Sequence, residues 1–217
     1  MNIENNVFFI QVAFFFSQNS NISIVKMAGQ MQEEFQTVFS NDPEILSLPN
    51  NAPSEIPRCI FKNGNGANEL SFGLARMDYK GNVFDSKLWK NDMERIAYKF
   101  VRLCQKFRIT VDRVGFVVQT NPKKECIEEV NQYISLPNYA ESNEKAVNWL
   151  YHNEIDSIKL NEIINIQINE NNIEFPYLVM IDINTQKDFA LKQDEESLEK
   201  TAKVILDEIE ERLKNVF

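Results

Sequence analysis

The stretch VFFIQVAFFF, residues 7–16, constrains this chain more than any other part of it. It is apolar apart from Gln11, yet a membrane-spanning helix takes about 20 apolar residues. The segment before it carries Glu4 and no Lys or Arg, so it lacks the basic region of a secretory signal. A continuous apolar run of this length fits a strand covered on both faces. The expectation is a buried strand in a protein without a membrane span.

Around that strand the hydrophobic periods are readable. Ile24, Met27, Ala28, Met31, Phe35, Val38 and Phe39 recur at helical spacing, with Asn21 or Ser23 as the cap. Residues 43–57 hold four prolines and read as an extended linker over the surface. Short strands are expected at Arg58–Phe61 and Glu69–Met77. Between them lies FKNGNGANEL, the one glycine-rich stretch. A phosphate-binding loop needs its glycines at the start of a helix. These lie between two strand-like runs, so they are read as a hairpin turn.

A long helix then opens at Asp85 or Ser86, with Trp89, Met93, Ile96, Phe100, Leu103 and Phe107 on one face. Ile109–Thr120 is the next strand, and Pro122 starts a short helix reaching Tyr133 or Ile134. After a loop over 135–143, Val147, Trp149 and Tyr151 alternate with Asn148, Leu150 and His152, and a turn is placed at Asn153–Asp156. Ile158, Leu160, Ile164, Ile166 and Ile168 keep one parity, as a half-buried strand does. A strand over Ile173–Ile183 follows, with Pro176 marking an edge or a bulge. A helix from about Asp194 closes the chain.

The order is β-α-β-β-α-β and then α-β-β-β-α. The fold class is α+β: antiparallel sheet with helices largely on one face, a ferredoxin-like first block over 1–121 and an αβββα block over 122–217. The blocks pack closely, and a single domain over 1–217 is the alternative. Whether they share one sheet is not legible at this level.

Pro57-Arg58-Cys59-Ile60-Phe61, Arg113-Val114-Gly115-Phe116-Val117 and the closing helix after Ile181-Asp182-Ile183 together carry a resemblance. The chain resembles a sporadically distributed family of uncharacterised bacterial proteins. Their Arg-Ile-Gly-like strand is usually followed by an arginine, an aromatic and an asparagine, where Val117, Val118 and Thr120 stand here. The resemblance implies an α+β fold and a patchy distribution with mobile elements. It implies no activity.

Few residues invite chemistry. Cys59, Cys104 and Cys126 are odd in number and without CxxC spacing, so reduced, largely buried thiols in a cytoplasmic protein are expected. His152 is the single histidine; a structural or surface role is weighed above catalysis, because no serine elbow or neighbouring thiol accompanies it. Asp182 is placed at a strand end with Lys187 and Asp188 following. Capping the next turn is weighed above a metal role there, and no cofactor is expected.

Charge is the stronger signal. Residues 1–121 hold 13 Lys plus Arg against 12 Asp plus Glu, whereas residues 122–217 hold 10 against 20. Such asymmetry gives a one-sided field. Arg95, Lys99, Arg102 and Lys106 form a basic stripe on the central helix, with Lys87 and Lys90 near its start. Asp207, Glu208, Glu210 and Glu211 crowd the end of the last helix, where the dipole disfavours them. Something beyond the helix is expected to reward that crowding.

The favoured expectation is a non-enzymatic cytoplasmic interaction protein that binds a protein partner through these charged helical faces. An inhibitor, antitoxin or adaptor in a bacterial or phage conflict system fits it, and a second copy of the chain is another candidate partner. The alternative is a nucleic-acid-binding protein using the basic stripe. A hydrolase using His152 stands third.

Overall fold

The computed structural model describes residues 7–17, 22–49, 51–64, 66–83, 85–122, 144–169 and 177–215. The fold class is α+β, with nine antiparallel strands and three helices among these residues. In chain order they are β1 Val7–Phe16, α1 Ile24–Phe35, β2 Glu44–Ile45, β3 Cys59–Lys62, β4 Asn68–Phe72 and β5 Arg76–Asn82. Then come α2 Trp89–Phe107, β6 Val111–Thr120, β7 Glu144–Ile155, β8 Ile158–Asn169, β9 Tyr177–Thr185 and α3 Glu195–Asn215. No helix among the described residues is long and apolar enough to cross a membrane.

The strands form one sheet in the order β2-β3-β4-β5-β1-β6-β9-β8-β7. Both halves of the chain therefore share it, joined where β6 pairs with β9. The short helix expected from Pro122 and the bulge expected at Pro176 fall on residues outside those described.

All three helices lie on one face. Ile10, Val12, Phe14 and Phe16 of β1 point into that layer, where Phe14 meets Phe100 of α2 edge-on at 5.5 Å. Phe100 also touches Phe35 of α1, and Phe39 beyond α1 packs on Phe61 and Tyr79. The apolar stripe of α3, Leu198, Ala202, Ile205, Leu206, Ile209 and Leu213, is buried beside Ile181 and Ile183 of β9 in the same core. α2 and α3 run antiparallel, since Lys90 meets Asp207 at 2.8 Å while Gln105 donates to the Gln193 carbonyl at 2.5 Å. Free Cys59 and Cys104 are core residues, and burial pushes the Cys59 thiol up to about 11 and Cys104 further.

Several details depart from the sequence expectation. The single strand over Glu69–Met77 is two strands, β4 and β5, folded back at Gly73. A Cβ at Gly73 would stand 2.9 Å from the Ser54 carbonyl, so the backbone of 54–56 comes in close there. Together with β2, this gives the first block two more strands than β-α-β-β-α-β. Segment 43–57 is not a plain surface linker. It contributes β2, and the buried Arg58 donates to the Leu48, Pro49 and Ala52 carbonyls at 3.3–3.5 Å.

Turn chemistry explains two further points. Asn63 to Asn68 does form the hairpin, and the positive φ is at Gly66 (68°). The β7–β8 turn lies at Asp156-Ser157, later than expected, with φ of 52° and 65°. Two successive left-handed residues are what a two-residue hairpin demands.

Candidate functional site

The other face of the sheet carries no helix among the described residues. Strand register builds it in rows, because residues paired across strands share a face. One row runs Arg76, Phe15, Arg113 over β5, β1 and β6. The next runs Asp78, Ala13, Gly115, Asn184, Asn161, His152, and the third Lys80, Gln11, Val117, Asp182, Ile163, Leu150. Ala13 and Gly115 are small and central, so the rows dip over them into a depression of about 490 Å³. A Cβ on Gly115 would sit 3.0 Å from Asn184 Cβ.

At one side of the depression Phe15 is flanked by two guanidiniums. Arg113 Cζ is 3.9 Å and Arg76 Cζ 4.6 Å from its ring centroid. Such contacts contribute about 0.5–2 kcal/mol and fix the planes of the arginines. Arg76 is ion-paired with Asp78, which also accepts from Gln11 Nε2 at 2.9 Å. Among the described residues no carboxylate lies within ion-pair distance of Arg113.

Across the floor runs a polarised hydrogen-bond chain. Ionised Asp182 only accepts, so Asn184 turns its Nδ2 towards Asp182 Oδ1, at 3.1 Å. Asn184 Oδ1 then accepts from Asn161 Nδ2 at 3.4 Å. Asn161 Oδ1 in turn faces His152 Nδ1 at 2.9 Å. An amide oxygen only accepts, so Nδ1 carries the proton and Nε2 of the neutral ring is left as an acceptor. Burial raises the Asp182 carboxyl above its ordinary 3.8, against the pull of Asn184, Arg113 and Arg76.

These placements correct one expectation, the position of Asp182. Asp182 does not cap a turn at a strand end; it lies inside β9, paired with Val117 and Ile163. His152 lines the depression and is tied through two amides to Asp182. Spacing gave no sign of this, because the partners come from β7, β8 and β9 and meet only through register.

The charged helical residues lie on the opposite side and largely satisfy one another. Lys99 donates to the Glu34 carbonyl of α1 and covers the Phe35 ring, and burial lowers its pKa. Arg102 pairs with Glu34 at 3.1 Å, and Lys106 donates to Gln30. Arg95 pairs with Asp92 at 2.9 Å, and Lys87 is exposed just before α2. Asp207 and Glu210 both meet Lys90, Glu210 also meets Lys214, and Glu208 pairs with Arg212. The acidic end of α3 is thus rewarded from within the protein, Glu211 being the fourth member of that group. A groove of about 390 Å³ between α2 and α3 holds Arg95 and Arg102 beside Glu94, Glu195 and Glu199, a mixed lining. Among the described residues no three His, Cys, Asp or Glu side chains are placed to share a metal ion.

Comparison with known proteins adds little. No protein-family model matches the chain, and no curated protein matches it. Among solved structures it is similar to a rolling circle replication initiator protein from Geobacillus stearothermophilus. The two share 13% identity and a TM-score of 0.34, over 94% of this chain and 78% of that one. That neighbour stands against the expectation of a non-enzymatic protein, which is withdrawn as a correction. A likeness this distant carries no argument for any particular activity in its place.

Proposed function

We propose that this protein binds single-stranded nucleic acid on the face of its sheet opposite the three described helices. The observation that carries the reading is the row Arg76–Phe15–Arg113 at the edge of an amide-lined depression. Proteins that take single strands combine cations for phosphate with aromatic or guanidinium planes on which bases stack. Arg113, already stacked on Phe15, offers its outer face to a base. Arg76 and Lys80 are spaced along β5 for the backbone. Gln11, Asn161 and Asn184 supply amides that can meet base edges.

An acidic protein is an unusual polyanion binder, and the distribution of charge answers this. The acidic residues of α3 lie in the helical layer, on the far side of the sheet from the depression. Such a field directs a polyanion to one face only. The free thiols Cys59 and Cys104 support a reducing compartment such as the cytoplasm.

The test is fluorescence anisotropy of a labelled oligothymidylate of about ten nucleotides, a typical single-domain site size. Saturable binding that weakens with salt supports the reading, and no binding at low salt contradicts it. The protein-partner reading competes here, through the exposed Leu150 at the rim (61% exposed). A protein recovered on this face, indifferent to oligonucleotide, would favour it.

A further inference from the structure

Resting on the reading of the sheet face as a single-strand site, we infer that Asp182 selects the base, and that the base it selects is guanine. The floor is asymmetric in its hydrogen-bonding sense. The chain from Asp182 through Asn184 and Asn161 to His152 commits one N–H of each amide and both amide oxygens internally. It leaves an acceptor at each end: Asp182 Oδ2, with no hydrogen-bond partner among the described residues, and His152 Nε2. A base lying against Asp182 is therefore asked for donors there.

Guanine answers that demand best. Its N1–H and N2–H₂ lie side by side on one edge and point the same way, a fork that a carboxylate accepts as it does an arginine. Adenine and cytosine each bring one exocyclic amine beside a ring acceptor that the carboxylate repels. Thymine brings a single N–H between two carbonyls. Arg113, stacked on Phe15 two rows away, has donors left for guanine O6 or N7, the commonest arginine contact to a base. Asp182 is half-buried, so its hydrogen bonds are little screened by water. The floor beside it, Ala13 and Gly115, leaves room for a planar ring.

The experiment compares oligothymidylates of about ten nucleotides carrying one central guanine, adenine, cytosine or thymine, by competition anisotropy. Wild-type protein is expected to prefer the guanine strand about tenfold over thymine, the discrimination of one good bidentate contact. Asp182→Asn is expected to lose that preference, since an amide presents one acceptor and one donor. The wild-type comparison stands without any variant. Oligothymidylate bound with all four bases equal overturns the inference and leaves the single-strand reading intact. No oligonucleotide bound at all overturns both.

Discussion

Arg212 reaches Glu162 with two nitrogens, Nη2 at 2.6 Å and Nε at 2.8 Å, both on the same oxygen, Oε2. Glu162 is 0% exposed and sits on the helical face of β8, while Oε1 finds no donor among the described residues. The contact ties α3 to β8. Replacing a buried ion's partner leaves an uncompensated charge, so Arg212→Met is expected to cost about 3–5 kcal/mol. Adding Glu162→Leu should restore most of that loss, because the charge is removed with its partner. Urea unfolding of the two variants checks this, and equal loss in both would contradict it.

Glu208 shares Arg212 with Glu162, so two carboxylates meet one guanidinium. Burial first, and the Glu162 charge second, raise the Glu208 carboxyl above its ordinary 4.5. The folded state therefore holds this proton more tightly than the unfolded chain. Its contribution is present below about pH 4.5 and is lost as pH rises through the folded value. Glu208→Gln should gain stability relative to the parent between about pH 4 and pH 7. A difference independent of pH in that window would count against the shared-guanidinium account.

On the open face, Arg113→Ala should weaken single-strand binding about tenfold, the loss of one stacking plane, with little change in the salt slope. Ala13→Leu should block the depression sterically with the helical core untouched. Anisotropy measured over a salt series reads both. Full affinity in Ala13→Leu would place the ligand elsewhere.

The basic stripe on α2 makes the opposite prediction. Arg95 and Arg102 pair with Asp92 and Glu34, on the helical side of the molecule. Arg95→Glu combined with Arg102→Glu is expected to change oligonucleotide affinity by less than about twofold, at a stability cost of about 1 kcal/mol from two exposed pairs. Abolished binding in that variant would restore the stripe as the site.

Arg58 is buried and donates to three carbonyls of segment 48–52. Arg58→Met should leave these acceptors unmet, costing about 1–3 kcal/mol. Limited proteolysis within residues 43–57 should become faster, whereas an unchanged cleavage rate would mean the loop holds without the clamp.

The helices were legible because their apolar residues keep one period: Trp89, Met93, Ile96, Phe100 and Leu103 are all buried as a stripe. β1 was misread in one respect. Its phenylalanines fill both parities, which hides that Ile10, Val12, Phe14 and Phe16 face the helices while Gln11 and Phe15 face outward. Gln11 was the available signal. Polar residues at the outward parity of central strands, such as Asp78, Arg113 and Asp182, mark a face that no helix among the described residues covers. The site itself was not legible, since Phe15, Arg76, Arg113 and Asp182 lie on four strands. Register alone, and no motif, brings them together.

The most direct test of the sheet-face account is ultraviolet cross-linking of the intact protein to a labelled oligothymidylate, with the modified peptides identified by mass spectrometry. The account predicts adducts on the peptides of β1 and β6, around Phe15 and Arg113, with those of α2 and α3 unmodified. Adducts confined to residues 95–106 of α2, or none on any peptide, would contradict it.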